Sequence, residues 1–227
     1  MFETIPLFPL GTVLLPGAQL PLHIFEPRYR ALTTDLVTGA RPGRSFGVVA
    51  VRPGWTASEG DQDALHAVGC TARLKEVQRL PDGRFDVVTT GERRFRVLSV
   101  DTTTAPYLLA SVDWLPDTPP SGAEEQDLVP ALVHAARGAH HTYCRVAWKR
   151  DDWDAPDHDV DPSVLSHLLA ADCLLPLDDR QELLEETSSL GRLRLVRRLV
   201  VRETEILRQL RAVPVPLEQI LQPVTLN

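Results

Sequence analysis

The sequence opens with MFETIPLFPLGTVLLPGAQLPLHIFEPRY, residues 1–29, and this stretch decides the fold. Four prolines alternate with apolar residues across 6–21, and two glycines lie between them. Proline removes a backbone donor and interrupts both helices and interior strands. The stretch therefore predicts short strands joined by tight turns and packed into a core. It ends at Glu26-Pro27, a dipeptide typical of a helix start.

The helix that begins there is predicted to continue to Val37. Tyr29, Leu32 and Leu36 fall on one apolar stripe of such a helix. Gly39 follows, and glycine readily takes the left-handed conformation in which many helices end. We therefore expect one early helix, ending at Gly39.

Residues 46–115 have the pattern of β structure. Apolar and polar residues alternate from Val68 to Lys75, as in a half-buried strand. Pro81-Asp82-Gly83 has the composition of a turn, and Gly91 is predicted to interrupt the strand that follows. Short, mostly antiparallel strands with one early helix indicate a compact β-barrel-like or sandwich domain.

A proline-rich run at 116–122 marks the predicted end of this domain. Beyond it the apolar residues recur at helical spacing. Helices are predicted over 123–148, from Pro162, over 178–186 and from 188 or 189 to 211. The last residues, 212–227, contain three prolines and are predicted to form an extended tail that packs on the body of the molecule or on a second copy, as in a homodimer.

The charge of the chain is unevenly distributed. Its 227 residues carry a formal net charge of −7. Residues 151–186 hold twelve acidic residues and one arginine, whereas 187–211 hold seven arginines and two glutamates. We expect these two segments to pair within the molecule. The overall acidity argues against general nucleic-acid binding, which requires a basic surface.

Other classes of protein are excluded by what the sequence lacks. It has no apolar stretch of about 18 residues that could span a membrane, and its N-terminus does not resemble a signal peptide. We therefore expect a cytoplasmic protein that does not insert into a membrane. The three cysteines are widely spaced and predict reduced thiols. His140, His141 and Cys144 could share a helix face, but a third ligand is not evident, and we expect a polar helix face without metal.

Several motifs recur in a recognisable order. They are Pro6-Leu7-Phe8-Pro9-Leu10, Leu15-Pro16-Gly17, the run from Leu20 to Tyr29, Val68-Gly69-Cys70-Thr71-Ala72, the run from Pro81 to Val87, the run from Gly91 to Val97, and Pro106-Tyr107-Leu108. In this order they resemble the N-terminal substrate-binding domain of the Lon protease family. The resemblance implies an α+β protein: a PUA-like compact β-barrel domain over 1–117, an α-helical bundle over 118–211 and the tail over 212–227.

The chain departs from a full Lon protease. It has no G-x-x-x-x-G-K-[ST] phosphate loop, and its two lysines, Lys75 and Lys149, lie in no context that suggests a catalytic dyad. We therefore expect a free-standing, non-catalytic module without a cofactor. The resemblance implies binding of exposed apolar segments of unfolded or flexible polypeptides, in connection with protein quality control and a separate protease.

The candidate binding residues are few. Phe25, Tyr29 and the loop around Trp55 could form the apolar contact surface. Glu26, Arg93 and Arg94 could anchor a peptide backbone or terminus, or instead cap a helix and form internal ion pairs. Two alternative functions remain open at this stage: RNA or small-ligand binding through the PUA-like domain, and a hydrolase site in a cleft.

Overall fold

A computed structural model describes residues 2–55, 62–148, 153 and 155–210. The predicted tail, 212–227, lies outside these residues. The strands and helices, in chain order, are β1 (Glu3–Leu10), β2 (Gln19–Ile24), α1 (Pro27–Thr38), β3 (Ser45–Ala50), β4 (Val68–Arg79), β5 (Phe85–Asp101), β6 (Leu109–Trp114), α2 (Gly122–Ala147), α3 (Pro162–Ala171), α4 (Leu177–Glu185) and α5 (Ser189–Leu210). The protein is therefore of the α+β class.

The described residues form two compact units. One comprises residues 2–118 together with 180–187, and the other comprises 119–179 and 188–210. The predicted division into 1–117 and 118–211 differs from this one chiefly in the segment 180–187.

The strand-rich unit contains a closed ring of strand pairings. The sheet order is β2-β5-β4-β3-β1-β6, and β5 also pairs with β6, so that five strands close on each other. The long strand β5 makes this closure because it pairs with both β4 and β6, while its first part also pairs with β2. Strand β2 stands outside the ring and pairs only with β5 among the described residues. The assignment to the PUA-like folds stays a prediction.

The ring encloses an apolar core centred on Phe95, whose side chain is fully buried. Its neighbours from β1, β3, β5 and β6 include Leu7, Val49, Val97, Ala110 and Val112. Two glycines make room for the phenyl ring: a Cβ would lie 2.7 Å from Phe95 Cζ at Gly47 and 2.5 Å from it at Gly69. The core is thus packed so closely that neither position can hold a larger residue without displacement.

The prediction that Gly91 interrupts a strand is wrong. Strand β5 runs through Gly91 without a break, but its register against β4 shifts between the pairs Cys70–Arg94 and Ala72–Gly91. Because Gly91 has no side chain, the backbone at Leu15 can approach it closely: a Cβ at Gly91 would lie 2.2 Å from the Leu15 carbonyl oxygen. Gly91 therefore marks a bulge and a close backbone approach.

The helical unit is built from α2, α3 and α5. Leu193, Val196 and Val200 of α5 are buried, as their helical spacing predicts. The Asp161 side chain caps α3 by accepting a hydrogen bond of 2.8 Å from the Ser163 amide. Arg202 of α5 forms an ion pair with Asp179, which confirms the predicted pairing of the basic and acidic segments at this position. Across the described ranges, no helix is both long and apolar enough to cross a membrane.

Candidate functional site

Within the part of the chain that the structure describes, β2 is an edge strand of the strand-rich unit, and the helix that follows it lines a groove. Strand β2 leads through Phe25 and Glu26 directly into α1. Because Pro27 fixes the first helical position and Gly39 adopts a left-handed φ of 82° after the last turn, the sequence sets both ends of α1. Phe25 connects the edge strand to the helix, and 60% of its surface is exposed. A large apolar side chain in this position is available to a ligand.

The groove lies between α1 and the hairpin formed by β4 and β5, and we call it the α1–hairpin groove. It encloses a cavity of about 350 Å³. Helix α1 contributes Pro27, Arg30, Ala31 and Thr34, and the hairpin contributes Arg79, Gly83 and Phe85. The lining thus combines apolar surface with two arginines and contains no acidic residue.

The turn of this hairpin is held by local interactions. Gly83 has a φ of +80°, which glycine adopts without strain. The Asp82 carboxylate accepts hydrogen bonds from the Arg84 amide at 3.0 Å and from Arg84 Nε at 2.5 Å. These bonds hold the pKa of Asp82 below its usual value. Arg84 also lies 3.2 Å from His23 Nε2, while His23 Nδ1 lies 2.6 Å from Asp86 Oδ1. The turn and the edge strand are therefore tied together by their side chains.

The sequence-predicted residues have different environments. Phe25 and Trp55 are exposed, Trp55 by 50%, although residues 56–61 beyond Trp55 are not described. Tyr29 is buried and its ring stacks on Phe8 with centroids 3.7 Å apart. Burial raises the pKa of the Tyr29 hydroxyl to about 12. The Glu26 side chain makes no hydrogen bond that caps α1 and instead pairs with Arg28 at 2.9 Å.

The two neighbouring arginines differ in burial: Arg93 is exposed and Arg94 is buried. The guanidinium of Arg93 lies 3.7 Å from the centroid of the Trp114 ring. Arg94 donates hydrogen bonds of 2.7 Å to the carbonyl oxygens of Leu184 and Glu186. It also forms an ion pair with Asp117. Arg94 therefore holds the segment 180–187 to the sheet within the strand-rich unit.

The histidine and cysteine residues of α2 form a buried contact. His140 Nε2 lies 3.6 Å from Cys144 Sγ and 3.2 Å from Asp172 Oδ2. Burial raises the pKa of the Cys144 thiol to about 12, so the thiol is protonated and unreactive at neutral pH. Over the described part of the chain, no three His, Cys, Asp or Glu side chains are grouped so that they could hold a metal ion.

Three groove residues escaped prediction from the sequence: Arg30, Arg79 and Phe85. Arg30 lies one helical turn after Pro27, and the other two flank the predicted turn at 81–83. The signal that could have found them is the pair of arginines, each close to a predicted turn or helix start. Their meeting depends on the packing of α1 against a hairpin about 50 residues later in the chain, which spacing alone does not reveal.

Proteins similar to this chain are Lon proteases. Lon protease 2 of Sorangium cellulosum is 30% identical over 210 residues, which cover 91% of this chain and 25% of that protein. Lon protease 1 of Thermus thermophilus is 31% identical over 206 residues, which cover 88% of this chain and 25% of that protein. The chain thus spans about a quarter of the length of these relatives.

Solved structures agree on the fold. The N-terminal domain of the Mycobacterium avium complex Lon protease has a TM-score of 0.65 and 20% identity, and covers 87% of this chain and 98% of that one. The Lon N-terminal domain protein from Xanthomonas campestris has a TM-score of 0.56 and 24% identity, with 93% and 99% covered. The family described as the ATP-dependent protease La (LON) substrate-binding domain matches residues 4–202. The chain belongs to the Lon substrate-binding domain family.

Proposed function

We propose that this chain binds exposed apolar segments of other polypeptides through its strand-rich unit, with Phe25 as the central contact. The observation that carries the proposal is the exposure of Phe25, which joins the edge strand β2 to α1, the helix that lines the α1–hairpin groove. Burying an aromatic ring of this size against a ligand contributes about 1–2 kcal/mol when part of it is already covered. Family membership supports a substrate-binding role in the context of Lon proteolysis.

The edge strand supplies the second part of the interaction. Strand β2 pairs with β5 on one side, from Gln19–Thr90 to Ile24–Phe85. Its other side offers backbone groups to an extended peptide, and such bonds depend little on the peptide's sequence. Pro21 removes one donor from this strand, so the ladder that a peptide could form is short. Affinity therefore comes mainly from apolar contact with Phe25 and the groove.

The bound polypeptides are proposed to be unfolded or flexible chains destined for proteolysis. Their delivery to a protease is part of this proposal, because the Lon relatives are proteases. The chain itself is proposed to bind without catalysing a reaction. RNA binding receives no support from the family match.

The test is an NMR titration of the ¹⁵N-labelled protein with a short unstructured peptide rich in leucine and phenylalanine. The expected result is a set of shift changes confined to Phe25, β2 and the residues that line the groove. A polar peptide of the same length, in which serine replaces each apolar residue, is the control. Shift changes that are absent, or equal for both peptides, would contradict the proposal.

A further inference from the structure

The α1–hairpin groove carries two guanidinium groups and, among the residues that the structure describes, no acidic side chain lines it. The two groups belong to Arg30 and Arg79. Within the described ranges, neither side chain has a hydrogen-bond or ion-pair partner. Arginine side chains close to each other and without counter-ions favour an anionic ligand, because each presents a planar array of donors.

Three of the acidic residues close to Arg30 or Arg79 in the chain have other partners, and Glu76 and Asp35 do not line the groove. Glu26 pairs with Arg28 at 2.9 Å, Asp82 with Arg84 at 2.5 Å, and Asp86 with His23 at 2.6 Å. Each of these carboxylates is therefore held by a neighbour that does not line the groove. The positive charge of the groove therefore depends on where these carboxylates are paired as well as on which residues line it.

The hairpin turn places one of the two cations. A Cβ at Gly83 would lie 2.5 Å from Arg30 Nη2, so the guanidinium lies directly against the turn at Gly83. Phe85, which is 7% exposed, belongs to the apolar part of the same lining. A ligand in the groove would therefore meet apolar surface as well as the two guanidinium groups.

We infer that Arg30 and Arg79 bind a carboxylate carried by an apolar peptide segment. The inference rests on the proposed function: the same surface would select peptides by a carboxylate as well as by apolar contact. Pro27 lines the groove two residues after Phe25, so one short segment can place an apolar side chain on Phe25 and a carboxylate between the arginines. The carboxylate can be the peptide's C-terminus or an aspartate or glutamate side chain.

The experiment measures fluorescence anisotropy of N-terminally labelled apolar peptides with the full chain. The first peptide has a free C-terminal carboxylate, the second is amidated, and the third is amidated with a glutamate next to its last apolar residue. The variants are Arg30→Gln and Arg79→Gln. Arg96→Gln is the matched control, because Arg96 is exposed on β5 and does not line the groove.

A carboxylate site predicts that amidation weakens binding about tenfold. Arg30→Gln and Arg79→Gln should reduce the affinity for the free acid to that for the amide and leave the amide's affinity unchanged, while Arg96→Gln alters neither. Recovery of affinity in the glutamate peptide shows that the site also accepts side-chain carboxylates, and no recovery restricts it to the C-terminus.

Other results would overturn the inference. Equal binding of all three peptides, with Phe25 still required, contradicts the carboxylate site but leaves the proposed function intact. Absence of binding by all three peptides contradicts both. Tighter binding of a peptide with phosphoserine in place of the glutamate contradicts the preference for carboxylates.

Discussion

Replacement of Arg94 by methionine tests the assignment of this residue to the fold. The change keeps the length of the buried side chain but removes two hydrogen bonds of 2.7 Å to Leu184 and Glu186 and the ion pair with Asp117. Each buried carbonyl left without a donor costs about 1–2 kcal/mol. The lost ion pair adds less than about 1 kcal/mol, because a third of the Asp117 side chain is exposed. The free energy of unfolding should fall by about 2–5 kcal/mol.

The adjacent residue provides the control. Arg93→Met removes a guanidinium that stacks on Trp114 at the surface, and a contact of this type contributes about 0.5–1 kcal/mol. Urea denaturation followed by far-ultraviolet circular dichroism measures both variants. Equal losses for Arg94→Met and Arg93→Met would refute the distinction between a buried clamp and a surface contact.

Further predictions concern the packing, the helix cap and the thiols. Gly69→Ala should destabilise the protein by about 2–3 kcal/mol in urea denaturation, because its Cβ would lie 2.4 Å from the Val48 carbonyl oxygen. Gly138→Ala in α2 should instead stabilise it by up to about 1 kcal/mol, because a Cβ there meets nothing within 4 Å. A loss of stability in Gly138→Ala would contradict the packing described. Asp161→Ala should cost about 1 kcal/mol at pH 7. The hydrogen bonds from Ser163 hold the pKa of Asp161 below its usual value, so this cost should disappear in denaturation experiments as the pH falls below about 4, and a cost that grows on acidification would contradict the cap. Cys70 and Cys144 are buried with thiol pKa values raised to about 12, so Ellman's reagent at pH 7 should react with them only after urea is added.

The sequence predicted the local features of the fold well. The ends of α1 follow from Pro27 and Gly39, and the cap of α3 from Asp161, because each depends on the backbone preferences of one or two residues. The pairing of β5 with both β4 and β6, which closes the ring, could not be predicted. Alternation shows that a strand has two faces, but it does not identify the strand's neighbours.

Arg93 and Arg94 show why the site was harder to predict than the fold. Phe95 and Val97 are buried in the ring, so strict alternation would direct Arg93 inward and Arg94 outward. The outer face of β5 is covered at this point by residues 184–186, to which Arg94 binds. The burial of Arg94 therefore depends on a segment about 90 residues later in the chain.

The affinity of the Phe25→Ala variant for an apolar peptide tests the central claim most directly. Phe2→Ala is the matched control, because Phe2 is also an exposed phenylalanine of the strand-rich unit, 74% against 60% for Phe25. Fluorescence anisotropy with a labelled leucine- and phenylalanine-rich peptide should show binding about tenfold weaker for Phe25→Ala and unchanged for Phe2→Ala. Equal affinities of both variants and the unmodified protein would contradict the proposal that Phe25 is the centre of a polypeptide-binding surface.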